Sequence, residues 1–199
     1  NGFNKSAFSI DRLGNWLDIK LADTIIVQSD YQKKMLKKNY GKDGTTIKMP
    51  VPFTAGNSLQ KIFPPIVLWV GSMAEVKQPE LFLKLAEAMP KIGFHMIGGH
   101  ADNMRQYNSI KEHSKMISNF KFYGAVPFSK INKYFARSSI LVNTSLFEGF
   151  PNSFLQAWMN YTPVVTLNLD PDGVIKKYKL GYVSKDIDDM ILNIKKLLE

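Results

Sequence analysis

From residue 66 onward the chain alternates between short apolar runs and longer amphipathic stretches. The apolar runs predict buried β-strands, and the stretches between them repeat apolar residues at the spacing of a helix. Such alternation is typical of right-handed crossovers between parallel strands, with helices on both faces of the sheet. It predicts a Rossmann-like, doubly wound α/β domain. The predicted strands are residues 66–70, 93–97, 120–123, 140–143, 163–167 and 181–184, and the predicted helices are residues 78–89, 104–116, 128–136, 151–161 and 186–198.

The first fifty residues read as a separate piece. They predict an amphipathic helix within residues 1–22, strands at 23–29 and 45–49, and a basic helix at 31–40 that Ser29 or Asp30 caps and Gly41 ends. Four prolines lie between positions 50 and 65, together with glycine and small polar residues. That composition predicts a linker at 51–65, which separates residues 1–50 from a domain at 66–199.

Composition excludes several kinds of chemistry. The 199 residues include no cysteine, so disulfides and thiolate catalysis are absent. The three histidines are scattered without metal-ligand spacing, and we expect no metal site. No apolar run approaches the roughly 20 residues of a membrane span. A net charge of +9 fits an anionic ligand or partner, or simply a lysine-rich solvated surface. The chain begins without methionine, so we expect a piece of a longer protein.

Ligands in parallel α/β sheets bind at the carboxyl ends of the strands, which singles out the loops that follow them. The loop after residues 66–70 begins with Gly71 and Ser72 and carries Lys77, which can neutralise phosphate charge. It lacks the Walker pattern, and an ordinary connecting loop would look the same. Gly98 and Gly99 follow the next strand, where paired glycines permit either close ligand approach or only a tight turn.

The loop after residues 140–143 is the most informative one. A turn at residues 147–150 contains Glu148, and Pro151 follows at the predicted first position of a helix, where its missing N–H costs nothing. The free amides of such a turn and the positive end of the helix dipole favour an anion. A carboxylate beside them suits hydroxyl groups. Together these features predict a site for a sugar phosphate.

The order of these motifs resembles the C-terminal, donor-binding domain of GT-B-fold retaining glycosyltransferases of the family 4 type. The resemblance rests on a glycine followed six residues later by lysine (Gly71 and Lys77), a Gly-Gly turn, the segment FYGAVP, and EGFPNSFLQAW followed by TPVV. It extends over roughly residues 22–185, because ADTIIVQSDYQKKML is similar to the segment that closes the family's N-terminal domain.

The resemblance implies a role for each matching residue. Lys77 would bind the donor diphosphate and Glu148 the hydroxyls of the donor sugar, and these two are the predicted catalytic residues. The remaining predicted donor-binding residues are Gly71, Ser72, Gly98, Gly99, Ala125, Val126, Gly149, Phe150, Asn152, Ser153 and Gln156. The family often has arginine where Ser72 stands, and a second glutamate where Gln156 stands.

The resemblance implies transfer of a hexosyl unit, with retention, from a UDP-, GDP- or ADP-sugar to a glycan or lipid-linked acceptor in polysaccharide or glycoconjugate biosynthesis. It implies no cofactor and no bound metal. Separately, the lysines are not interleaved with exposed aromatic residues as single-strand binders require, so we expect no nucleic-acid partner. We expect a cytoplasmic protein, peripheral at the inner membrane face, whose missing N-terminal domain binds the acceptor, so that this chain alone is inactive. Two alternatives stay open at this point: a non-catalytic nucleotide or sugar-binding module, and a nucleotide-sugar 2-epimerase of the same fold.

Overall fold

A computed structural model describes residues 14–48, 50, 61, 63–100 and 104–199. The chain divides between Pro50 and Val51 into two compact units. Each unit is described by itself below.

The described residues of the first unit form two helices and two short parallel strands. Residues 14–21 are helical (α1), and they are followed by β1 (Ile26–Val27), α2 (Asp30–Tyr40) and β2 (Thr45–Thr46). Both predicted strands are shorter in the structure, because β1 and β2 pair only with each other over two residues. Helix α2 ends where the sequence predicts and begins one residue earlier, at Asp30, so that Ser29 is its cap.

The ends of α2 follow ordinary capping chemistry. The Ser29 hydroxyl accepts a hydrogen bond from the Gln32 amide at 3.1 Å, which satisfies one of the orphan donors of the first turn. Gly41 closes the helix in the left-handed conformation at φ 68°, which glycine adopts without steric cost.

The second unit contains a six-stranded sheet in which every neighbouring pair is parallel. The strand order is β5-β4-β3-β6-β7-β8. Helices pack on both faces, so the predicted Rossmann-like α/β fold is confirmed. The elements are β3 (Ile66–Val70), α3 (Pro79–Ala88), β4 (Gly93–Ile97), α4 (Met104–Ser114), β5 (Phe120–Phe122), α5 (Phe128–Arg137), β6 (Ile140–Asn143), α6 (Asn152–Met159), β7 (Val164–Leu167), α7 (Val174–Tyr178), β8 (Gly181–Ser184) and α8 (Ile187–Leu198).

Several details differ from the sequence prediction, among them the ends of α4 and α6, each of which ends two residues earlier than predicted. Pro151 is the N-cap of α6 and has extended backbone angles, so the helix begins one residue later than predicted. The short helix α7 was missed, because five residues are too few to show helical periodicity. Asp170 explains its presence, since that carboxylate accepts a hydrogen bond from the Ile175 amide at 2.8 Å.

The core lies on both faces of β3. Trp69 packs with Phe82 and Phe94 on one face, while Leu68 packs with Phe135 on the other. All five side chains are at most 2% exposed. A strand that is apolar on both faces belongs in the middle of a helix-covered sheet, which is where β3 lies.

The end of the predicted linker is attached to the second unit. The Lys61 ammonium donates hydrogen bonds to the Asn160 carbonyl at 3.0 Å and to the Thr162 hydroxyl at 2.6 Å. Burial lowers the pKa of Lys61 to about 8. The rest of the predicted linker before Phe63, residues 51–60 and 62, lies outside the described residues.

The strand order creates one switch point. The chain runs from β3 outward to β4 and β5, then returns to the other side of β3 with β6. The loops after β3 and β6 therefore lead to helices on opposite faces of the sheet, and both loops lie at the carboxyl ends of the strands. This is where open α/β sheets bind their ligands.

Candidate functional site

Two loops at the switch point are joined by hydrogen bonds. The loop after β3 covers residues 71–78, and the loop after β6 covers residues 144–151. The Leu146 amide donates to the Val76 carbonyl at 2.8 Å, and the Thr144 hydroxyl donates to the Lys77 carbonyl at 2.6 Å. The two loops therefore form one continuous edge above the sheet.

The two predicted catalytic residues face each other across this edge. Lys77 Nζ lies 2.7 Å from Glu148 Oε2, and the two side chains are 23% and 13% exposed. The pair is thus partly shielded from water, which strengthens the attraction relative to an exposed ion pair. The sequence predicted both residues individually, and the structure brings them together.

The Glu148 carboxylate is held by the last residue of β6 and by a residue of the loop that follows it. Its Oε1 accepts hydrogen bonds from Asn143 Nδ2 at 3.0 Å and from the Ser145 hydroxyl at 2.7 Å. Asn143 is the last residue of β6, and its side-chain oxygen accepts a bond from the Ser145 amide at 3.0 Å. Both carboxylate oxygens are therefore engaged, one by neutral donors and one by the ammonium group.

Local backbone geometry places Lys77. Residues Glu75–Lys77 form a single 3-10 turn, closed by a hydrogen bond from the Lys77 amide to the Ala74 carbonyl at 2.9 Å. Gln78 then adopts a left-handed conformation at φ 46°, which is unfavourable for a residue with a side chain. Pro79 opens α3, and its ring restricts the backbone there. The backbone on both sides of Lys77 is therefore tightly constrained, which fixes the point from which its side chain extends.

The glycine pair after β4 packs against the loop after β3. The Gly71 amide donates to the Ile97 carbonyl, and the Met73 amide donates to the Gly99 carbonyl, both at 3.1 Å. A Cβ on Gly98 would lie 2.2 Å from the Gly71 carbonyl oxygen, so only glycine fits there. Close approach of backbone to backbone is therefore sufficient reason for this glycine, and ligand contact by Gly98 and Gly99 stays a prediction.

The other predicted donor-binding residues lie in the loops after β3, β5 and β6 and in helix α6. Ala125 is exposed, and a Cβ on Gly99 would lie 3.3 Å from its methyl group. Gln156 lies in the middle of α6, and no hydrogen bond among the described residues joins its side chain to Glu148. Ser72 and Asn152 are exposed, while Val126, Gly149, Phe150, Ser153 and Gln156 are partly buried.

Sequence reasoning missed four residues that shape the site. Asn143, Thr144 and Ser145 are at most 5% exposed, and each makes a hydrogen bond described above. Trp69 is the fourth, because its indole Nε1 donates to the Thr144 hydroxyl at 3.0 Å. Three polar residues directly after an apolar strand were the available signal, since buried polar side chains need partners.

The described residues contain no group of three or more histidine, aspartate or glutamate side chains that could hold a metal ion. None of their helices is long and apolar enough to cross a bilayer.

Comparison with known proteins gives one family match. The sequence profile described as "Glycosyl transferases group 1" matches residues 64–199. No significant match was found among curated protein sequences.

Several solved structures share the fold. S. aureus TarM, a mutant in complex with fondaparinux, α-GlcNAc-glycerol and UDP, is 21% identical with a TM-score of 0.76, over 91% of this chain and 38% of that one. The pneumococcal O-GlcNAc transferase GtfA, in complex with UDP and GlcNAc, is 14% identical with a TM-score of 0.68, over 92% and 39%. Sucrose-phosphate synthase from Thermosynechococcus elongatus is 19% identical with a TM-score of 0.75, over 92% and 51%. The chain thus spans at most about half the length of these proteins, and its sheet is that of GT-B glycosyltransferases.

Proposed function

Because this chain belongs to the glycosyl transferases group 1 family, we propose that it is the donor-binding part of a retaining glycosyltransferase. The whole protein would transfer a hexosyl unit from a nucleoside-diphosphate sugar to a glycan or lipid-linked acceptor. In this proposal residues 1–50 end the acceptor-binding domain, residues 51–65 link the two domains, and residues 66–199 bind the donor. The acceptor-binding domain is required for transfer, so this chain alone has no transferase activity.

The observation that carries the proposal is the Lys77–Glu148 pair at the switch point of the sheet. A cation and a carboxylate side by side match the two ends of a nucleoside-diphosphate sugar: the ammonium suits the diphosphate and the carboxylate suits sugar hydroxyls. When the donor binds, its diphosphate takes the ammonium from Glu148. The carboxylate is then released to orient the sugar while Asn143 and Ser145 still hold its other oxygen.

The same groups provide a route to catalysis. As the bond between the sugar and the diphosphate breaks, negative charge develops on the leaving oxygens. Lys77 and the amides at the start of α6 stabilise that charge where it forms. Glu148 contributes by fixing the orientation of the sugar. No step requires a metal ion or a cofactor.

At two positions this chain has an uncharged residue where the family motifs often have a charged one. Ser72 brings no charge where an arginine would share the diphosphate with Lys77, and Gln156 brings no charge near the ribose. Lys77 therefore carries a larger share of diphosphate binding than it would beside an arginine. This is why its replacement is the most informative one.

Related structures favour UDP as the first nucleotide to test. TarM and GtfA were both solved with UDP, and GtfA also with GlcNAc. GDP and ADP are the other two candidates. We place the protein in the cytoplasm at the inner membrane face, where exposed lysines of α2, among them Lys34, Lys37 and Lys38, would meet anionic lipid.

The proposal is tested at two levels. Thermal unfolding of this chain with UDP, GDP and ADP should show stabilisation by one nucleotide above the others, because a ligand that binds only the folded state raises its stability. The full-length protein, given the matching sugar donor and an acceptor, should form a product whose anomeric configuration, read by NMR, equals that of the donor. Absence of stabilisation by all three nucleotides would contradict donor binding, and an inverted product would contradict retention.

A further inference from the structure

One buried hydroxyl connects the two catalytic candidates to the centre of the sheet. The Thr144 hydroxyl accepts a hydrogen bond from Trp69 Nε1 at 3.0 Å and donates one to the Lys77 carbonyl at 2.6 Å. Thr144 is 0% exposed and Trp69 is 2% exposed. A hydroxyl has one hydrogen to donate, and that hydrogen is given to the backbone of Lys77.

The residues on either side of Thr144 serve the other member of the pair. Successive side chains of an extended chain point to opposite sides. Accordingly, Asn143 and Ser145 bind the Glu148 carboxylate while Thr144 binds the Lys77 backbone. Three consecutive residues, the last one of β6 and the first two of the loop after it, thus hold both partners of the ion pair.

We propose that Thr144 is a positioning residue, which sets the place of the Lys77 ammonium relative to Glu148 and, through it, relative to the donor diphosphate. The diphosphate part of this inference rests on the proposed function, whereas the ion-pair part concerns the ligand-free chain. Trp69 supplies the rigid support, because its ring is packed in the core beside Phe82.

The alternative is that Thr144 contributes only to folding. A valine of similar shape would leave the Trp69 N–H and the Lys77 carbonyl without partners in a buried place, which destabilises any fold. Stability alone therefore does not separate the two roles. A positioning role additionally predicts a change in the interaction between Lys77 and Glu148, and a specific loss of nucleotide affinity.

Thr166 provides a matched control. It is also a buried threonine, 0% exposed, and it lies on β7 opposite Asn143 in the sheet register. Its hydroxyl has no hydrogen-bond partner among the described residues. T166V therefore makes the same chemical change next to the same strand without removing a hydrogen bond to the site.

The first measurement uses the chain without ligand. The coupling between Lys77 and Glu148 is obtained from a double-mutant cycle of K77M and E148Q in unfolding experiments, made in the wild-type, T144V, T144S and T166V backgrounds. We expect T144V to lower the coupling energy between Lys77 and Glu148 to less than about half of its value in the wild-type background, whereas T144S and T166V preserve that value. Unchanged coupling in a folded T144V protein would overturn the proposal. If T144V does not fold, T144C takes its place, since its weak thiol donor should give a smaller change in the same direction.

The second measurement is calorimetric titration with the nucleoside diphosphate that stabilises the wild-type chain. T144V should bind about five- to tenfold more weakly, the effect of one lost hydrogen bond, while T144S and T166V bind as the wild type does. Equal affinity of T144V and wild type would also overturn the proposal. If the wild-type chain binds no nucleoside diphosphate, the proposed function fails, and the ion-pair coupling still decides the role of Thr144.

Discussion

Lys77 Nζ and Glu148 Oε2 lie 2.7 Å apart, although 71 positions separate the two residues in the sequence. The two loops that carry them are brought together because β3 and β6 are neighbours in the sheet. Each charge is neutralised by the other in the ligand-free chain. A nucleoside-diphosphate sugar would replace this single contact by two, one to its phosphates and one to its sugar.

Replacing Glu148 by glutamine should separate the two halves of donor recognition. E148Q keeps an oxygen for Asn143 and Ser145 but offers no charge to Lys77. The lysine is then free for phosphate, so we expect UDP to bind as well as to wild type or up to about threefold more tightly. The matching UDP-sugar should no longer bind more tightly than UDP, because the contact to its sugar is weakened. The kcat of the full-length enzyme should fall about 100-fold or more.

Calorimetry with UDP and UDP-sugar measures the binding part of that prediction. E75Q is the matched control, because Glu75 is an exposed carboxylate in the same loop as Lys77. An E148Q protein that loses UDP affinity in parallel with sugar affinity would show that Glu148 does not act on the sugar.

How much of this site the sequence predicts depends on the kind of signal. Helix–strand alternation predicts every strand of the six-stranded sheet to within one residue. The signal is strongest for the central strands β3 and β6, because strands buried on both faces are apolar along almost their whole length. Lys77 and Glu148 are also predicted, because each lies in a loop that follows a strand. The contact between these two residues is not predicted, because it depends on the order of the strands in the sheet, and the local sequence pattern does not contain that order.

The sequence does not predict the residues that position Lys77. Thr144 and Trp69 gain their importance from a hydrogen bond across the sheet. Nothing in the sequence near either residue indicates its partner. The N-cap position of Pro151 is a smaller example: proline is compatible with both the cap and the first helical position, and the neighbouring turn decides between them.

Gly98 should be intolerant of alanine while Gly99 is tolerant. The new methyl group at Gly98 would overlap the Gly71 carbonyl, whereas at Gly99 it would meet only the Ala125 methyl at 3.3 Å. We expect G98A to lower the free energy of unfolding by about 3 kcal/mol and G99A by less than about 1 kcal/mol. Urea denaturation of the two variants measures the difference, and similar midpoints would show that the loops relax around the added group.

His95 should make the second unit less stable in mild acid. Burial lowers the pKa of His95, and the positive charge of Lys121 lowers it further. As the pH falls through about 6.5, the unfolded chain takes up a proton at this position before the folded chain does. The free energy of unfolding therefore decreases below that pH.

H95Q tests this assignment. Relative to H95Q, the wild-type chain should lose melting temperature between pH 7.5 and 5.5, and K121Q should lose less than wild type because one cause of the shift is removed. Wild-type and H95Q curves that run parallel over this range would show that His95 does not contribute to the acid sensitivity.

The most direct test of donor binding at this site is the affinity of K77A for the nucleoside diphosphate that the chain prefers. K84A is the matched control, since Lys84 is an exposed lysine on α3, the helix that follows the Lys77 loop. K77A loses a charge-assisted contact to phosphate, so it should bind the nucleoside diphosphate at least about tenfold more weakly than wild type. K84A keeps that contact, so its affinity should stay within about twofold of wild type. Equal affinity of K77A and wild type, measured by calorimetry, would contradict the assignment of this site.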